Sequence, residues 1–177
     1  MAYSQELIVP DAVKIEISGR NIKASGPKGE LEKRFGFREN IKITKVENKI
    51  KVTTESDRKK TKAIVGTIRA HIENLITGVT EGFTYKLRAV YAHFPITIKI
   101  EGKQIVVQNF LGARTPRVAK IIEGVDVKID KTDLTVTGID LEKVSQTAAN
   151  IEQSCRIVGF DKKRFMDGVY ITSKGDE

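Results

Sequence analysis

The stretch Ile15-Glu-Ile-Ser-Gly19-Arg-Asn-Ile22-Lys-Ala24 recurs as Ile98-Lys-Ile-Glu-Gly102-Lys-Gln-Ile105-Val-Val107, shifted by a constant 83 positions. Gly29 falls on Gly112 at the same shift. Such a recurrence governs the rest of the reading, because each copy must then be a supersecondary unit of its own. Within the first copy Val13, Ile15 and Ile17 alternate with polar residues, turn at Gly19-Arg20-Asn21, and resume at Ile22 and Ala24. A period of two broken by glycine is the pattern of a β-hairpin with one buried face. The second copy turns at Glu101-Gly102-Lys103.

The repeat extends outward. Ile41 and Ile43, then Ile50 and Val52 about a Glu47-Asn48 turn, match Val125, Val127 and Ile129, then Leu134 and Val136 about Lys131-Thr132-Asp133, with a one-residue slip absorbed in the loops. Each copy then changes to helical spacing. Ile64, Ile68, Ile72, Leu75 and Ile76 define one face of the first helix, and Leu141, Val144, Ala148, Ile151 and Cys155 one face of the second. Asp57 and Asp140, again 83 apart, are read as N-caps accepting from first-turn amides. Gly78 is read as the stop of the first helix. The expected fold class is α+β, with two tandem copies of a small strand-rich unit, each with one helix packed on the sheet. The expected divisions are residues 1–80, 81–160 and a basic, aromatic C-terminal tail over 161–177.

Lysine and arginine total 31 against 23 acidic residues in 177, a net charge of +8. Surplus charge of this sign suits a polyanionic partner, although it also serves solubility alone. It is uneven: residues 1–90 carry 18 basic and 11 acidic side chains, a net +7, and residues 91–177 carry 13 and 12, a net +1. Net charge by itself therefore favours the first half as the RNA-facing one. The single cysteine, Cys155, excludes an internal disulfide and a cysteine metal cluster. No apolar run approaches the roughly 18 residues that span a bilayer, and the N-terminus lacks the pattern of a signal peptide. A cytoplasmic protein without cofactor, metal, membrane or small-molecule substrate is expected.

Motifs that carry catalysis are missing. There is no G-x-G-x-x-G, G-x-x-x-x-G-K, G-x-S-x-G or H-E-x-x-H. His71 lies on the apolar stripe of the first helix and His93 beside Phe94-Pro95, and both read as structural. Cys155 reads as a small buried hydrophobe. Ser25-Gly-Pro-Lys-Gly29 is a turn with no helix after it, so it lacks the helix N-terminus of a phosphate cradle. The chain is read as no enzyme.

Three clusters present cations in shapes suited to a phosphate backbone. In Phe83-Thr-Tyr-Lys-Leu-Arg-Ala-Val-Tyr91, alternation sends Phe83, Tyr85, Leu87, Ala89 and Tyr91 to one face and Lys86 and Arg88 to the other. In Asn109-Phe-Leu-Gly112-Ala-Arg114-Thr-Pro116-Arg117-Val-Ala-Lys120, glycine and proline interrupt regular structure, so Arg114, Arg117 and Lys120 are expected on an exposed loop. In the tail, Lys162, Lys163 and Arg164 precede Phe165, Tyr170 and Lys174, a mixture suited to phosphate pairing and base stacking.

At these residues the sequence resembles the universal large-subunit ribosomal protein family called L six, in its archaeal and eukaryotic branch. The resemblance is carried by Gly78-Val-Thr-Glu-Gly-Phe-Thr-Tyr-Lys-Leu-Arg-Ala-Val-Tyr-Ala-His-Phe-Pro-Ile96, by Asn109-Phe-Leu-Gly112, and by Arg164-Phe-Met-Asp-Gly-Val-Tyr-Ile171. It implies a structural constituent of the large ribosomal subunit that binds ribosomal RNA near the sarcin-ricin loop and the stalk base, mostly through the second unit and the tail. Implied partners are neighbouring ribosomal proteins at the stalk base, with translation factors nearby. A local cluster on a shaped loop outweighs charge summed over a domain, so the second half is taken as the RNA-facing one. One departure is the order Lys163-Arg164, where related tails carry arginine two residues before the phenylalanine.

Overall fold

The computed structural model describes residues 3–36, 41–161 and 163–175. The chain divides into two compact units, Met1–Gly82 and Phe83–Glu177. The first unit runs β1 (Tyr3–Ile8), β2 (Lys14–Ser18), β3 (Asn21–Gly26), β4 (Gly29–Arg34), β5 (Ile41–Val46), β6 (Lys49–Thr54) and helix α1 (Lys59–Thr80). Its strands form two antiparallel sheets, β1-β6-β5 and β2-β3-β4. The second unit runs β7 (Phe83–Val90), β8 (Thr97–Glu101), β9 (Gln104–Gln108), a 3-10 turn (Phe110–Gly112), β10 (Arg117–Lys120), β11 (Val125–Asp130), β12 (Asp133–Gly138), helix α2 (Leu141–Ser154) and β13 (Gly168–Lys174). Its sheets are β10-β9-β8 and β11-β12-β7-β13.

The two orders are the same apart from one strand. β7, β12 and β11 repeat β1, β6 and β5, and β8, β9 and β10 repeat β2, β3 and β4. The registers agree as well: Ile15 pairs with Ala24 and Ile98 with Val107. Matching alternation fixes matching pairing, since a slip of one residue would turn the apolar set to solvent. The addition is β13, which lies antiparallel on the other side of β7. The segment expected as a tail thus contributes a strand to the second sheet.

Each helix lies on the apolar faces of its own strands. Ile22, Ala24, Ile50 and Val52 are buried with Val65, Ile68, Ile72 and Val79 of α1. Ile105, Val107, Leu134 and Val136 are buried with Val144, Ala148 and Ile151 of α2. Burying one such aliphatic side chain is worth about 1.5–3 kcal/mol.

Three expectations for α1 are corrected. Ile64 is 43% exposed, and Val65, at 0%, takes the core position in its place. Gly78 is buried inside the helix; the chain leaves α1 only at Gly82, whose φ of +72° is one that glycine adopts without steric cost. Asp57 is not the cap. Arg58 occupies that position with no side-chain bond, while Asp57 Oδ1 accepts from Lys62 Nζ at 2.6 Å. The cause is a longer connection: residues 55–58 link β6 to α1, whereas only 139 and 140 link β12 to α2. Asp140 is the cap of α2, its Oδ1 accepting from the Glu142 amide at 2.9 Å.

Asp140→Ala should therefore lower stability by about 1 kcal/mol, read as a lower melting temperature, while Asp57→Ala should leave the melting temperature close to the parent's, because an exposed surface pair contributes little. Equal losses in the two variants would refute this assignment of the cap.

Candidate nucleic-acid interface

Three connections of the second unit, residues 91–96, 109–116 and 155–167, meet at one end of its sheets. The first unit joins β3 to β4 through Pro27 and Lys28 alone, but eight residues separate β9 from β10. Asn109, Leu111 and Gly112 are all left-handed there, with φ of +61°, +52° and +73°. That backbone costs a non-glycine residue on the order of 1–2 kcal/mol. It is held by Phe110, which is 2% exposed and packs into the core. Asn109 Nδ2 donates to the Pro95 carbonyl at 3.0 Å. A Cβ on Gly112 would lie 3.2 Å from the Phe94 ring, so the 91–96 and 109–116 loops touch at a glycine.

The 91–96 and 155–167 loops are joined by Asp167, a fully buried carboxylate. Its Oδ1 accepts from the Ala92 amide at 3.0 Å and its Oδ2 from the His93 amide at 3.3 Å. His93 Nδ1 lies 3.4 Å from Oδ1. Burial alone would raise the Asp167 carboxyl, but the Ala92 amide and then the His93 ring and amide hold it below the ordinary range. A buried carboxylate that accepts amide bonds is stabilised in its charged form. The His93 ring lies 4.7 Å from that of Phe165, and Phe160 lies 5.0 Å from Phe165. Phe94, Phe160 and Met166 remain exposed beside them.

The sequence-nominated cations fall in four places. Arg114, Arg117, Lys163 and Arg164 are exposed at this loop end, with the Arg117 guanidinium 5.9 Å from the Phe110 ring centre. Asp161 shapes the tail turn: its Oδ1 accepts from the Lys163 amide and its carbonyl from the Arg164 and Phe165 amides. Lys86, Arg88 and Tyr170 share the outer face of the four-stranded sheet, where Arg88 pairs across to Asp133 on one side and Tyr170 on the other. Arg88 Nε already donates to Asp133 Oδ1 at 2.7 Å. Two residues stand apart. Lys120 closes β10 at the far end, where the next amide, that of Ile121, bonds the Lys103 carbonyl. Lys174 is turned to the helix side by a register shift between Ile171 and Ser173, and it lines a shallow depression with Tyr85, Ser145 and Glu152. Lys162 lies outside the described residues.

Arg117 and Lys120 belong to β10 and not to a loop, because Val107 and Gln104 of β9 pair with them. Asp167, Phe94, Phe160 and Arg156 were not singled out from sequence. Asp167 binds amides 74 and 75 residues away, and no periodicity reports such a link. Arg156 is exposed in the 155–167 loop but stands alone in sequence, away from any basic run.

The arrangement suits binding and not bond-breaking chemistry. Among the described residues of the three loops the exposed acid is Asp161, against the cations Arg114, Arg156, Lys163 and Arg164, with Arg117 adjoining. Among the described residues no group of three His, Cys, Asp or Glu side chains could hold a metal ion. No described helix is long and apolar enough to cross a membrane.

A family model described as Ribosomal protein L6 matches residues 9–82 and again 94–168, one match on each unit. The protein named large ribosomal subunit protein uL6 of Ignicoccus hospitalis is 47% identical over 170 residues, covering 94% of this chain and 91% of that one. Its namesake from Methanothrix thermoacetophila is 44% identical over 170 residues and 96% of each chain. That from Sulfurisphaera tokodaii is 47% identical over 171 residues, 96% of this chain and 91% of its own. The doubled match and this identity over nearly the whole length establish that the chain belongs to the ribosomal protein L6 family, structural and non-enzymatic constituents of the large ribosomal subunit.

Proposed function

We propose that the loop end of the second unit holds the phosphate backbone of large-subunit ribosomal RNA near the sarcin-ricin loop and the stalk base, and thereby supports the region where translation factors land. The observation that carries this is the meeting of three loops that fix exposed arginines and Lys163 beside aromatic rings, with one exposed acid among their described residues. Arginine presents a planar fork to phosphate, and exposed rings offer stacking surfaces to unpaired bases. Arg114, Arg117, Lys163, Arg164 and Phe165 form the central surface of this reading, and Lys162 remains an expectation of the sequence. Lys86, Arg88 and Tyr170 extend it along the outer sheet face. Lys120 and Lys174 would meet RNA only at its margins. Neighbouring ribosomal proteins at the stalk base complete the set of partners.

The triple variant Arg114→Gln, Arg117→Gln and Arg164→Gln should bind large-subunit RNA more weakly. Its dependence of log affinity on log salt should flatten by about 0.7–0.9 for each phosphate that is no longer neutralised. The variant Lys45→Gln, Lys49→Gln and Lys51→Gln removes the same charge from the first unit. Comparable weakening in both would show that net charge and not this surface governs binding.

Asp167→Ala should cost about 1–3 kcal/mol, because it leaves the Ala92 and His93 amides without their acceptor, and should weaken RNA binding through loss of loop geometry. The stabilisation by Asp167 comes from a folded pKa below the ordinary 3.8. It is therefore complete above that value and lost as pH falls through the lower folded one. The stability gap between parent and variant should be constant near neutral pH and narrow below about pH 4. A gap unchanged down to pH 2 would refute the ionised anchor.

A further inference from the structure

The internal repeat leaves one position unfilled. Tyr3, Gln5 and Leu7 of β1 pair with Thr54, Val52 and Ile50, as Phe83, Tyr85 and Leu87 of β7 pair with Gly138, Val136 and Leu134. On its other side β7 carries β13, with Ile171 opposite Leu87 and Lys174 opposite Tyr85. β1 carries no strand there among the described residues. We propose that this open edge of β1 is a docking site for an extended segment of another protein, running antiparallel to β1 as β13 runs along β7.

The chemistry of the edge supports pairing. Proteins guard exposed strand edges with lysine, proline or a bulge, since free N–H and C=O groups otherwise recruit further strands. Among the edge strands described, β2, β4, β5, β8, β10, β11 and β13 each contain lysine or arginine. β1, Tyr-Ser-Gln-Glu-Leu-Ile, contains neither, nor proline, and its register along β6 is unbroken over six residues. In the second unit the added strand is also held by a helix carboxylate, Glu152 Oε1, which accepts the amide of Ile171 at 3.1 Å.

The occupant is specified by these features. It presents an apolar residue opposite Leu7, where Ile171 lies opposite Leu87, and donates backbone N–H groups to the edge. β1 itself carries no cation, and the Lys51 ammonium beside it is already paired to Glu6 at 3.2 Å, so RNA is disfavoured as the occupant.

Alternate amides of an edge strand face outward, so in the free chain half of those in residues 3–8 should exchange quickly with deuterium. The chain is then built into large subunits; co-sedimentation is the separate test of the ribosomal reading, on which this experiment rests. In those particles the same amides should exchange at least ~100-fold more slowly. A photoreactive residue in place of Ser4 should give a peptide adduct. β1 amides as fast in the particle as in the free chain would overturn the proposal. So would an adduct to a nucleotide, or protection that appears in the free chain as its concentration rises, which would indicate a second copy.

Discussion

A sheet with one apolar face must bury that face against another element, and each unit contains two such sheets and a single helix. One helical stripe must therefore close both. α1 touches β1, β3, β4 and β6, and α2 touches strands of both sheets of its own unit. This requirement sets the hairpin registers, which keep Ile15, Ile22, Ile50 and Val52 turned inward. It also sets where the chain must be thin. A Cβ on Gly26 would lie 2.8 Å from Val79 of α1, and one on Gly138 would lie 2.7 Å from Val144 of α2, both too close for any larger residue without movement.

Duplication of this closed unit gave two similar cores whose elaborations differ. The second unit lengthens the β9–β10 connection, adds residues 155–167 after its helix, and returns with β13. The first two changes lie at one end and build the cluster of cations and rings there. The core motif thus keeps its geometry between the two halves while charge presentation does not. That explains why the half with less net charge holds the better-shaped basic surface.

The sheets were legible in the sequence because period-two alternation at Ile15, Ile17, Ile22 and Ala24 has only one way to bury its apolar face. The helix ends were less so. Asp57 and Asp140 look equivalent at a fixed spacing, yet two extra residues before α1 put Arg58 at the cap. Ile64 and Val65 are adjacent aliphatics, and only the angle at which the helix meets the sheet decides which is buried. At the candidate interface Arg114, Arg164 and Phe165 were legible as local clusters. The bonds that order them, Asp167 to Ala92 and Asn109 to Pro95, join residues remote in sequence, where local pattern carries no signal. The sequence groups Lys174 with the tail cations, and the bulge that turns it to the helix side cannot be read from alternation.

Directly after the second helix stands Cys155, the single cysteine of the chain, 4% exposed with its thiol pushed up by burial and only partly relieved by Ser154. A thiol kept protonated and screened from solvent is a poor nucleophile. Maleimide dyes and spin labels should leave it untouched in the folded chain. A cysteine placed at an exposed site would then carry the sole reporter without removal of the native one, and distances or fluorescence could be measured on otherwise unaltered protein.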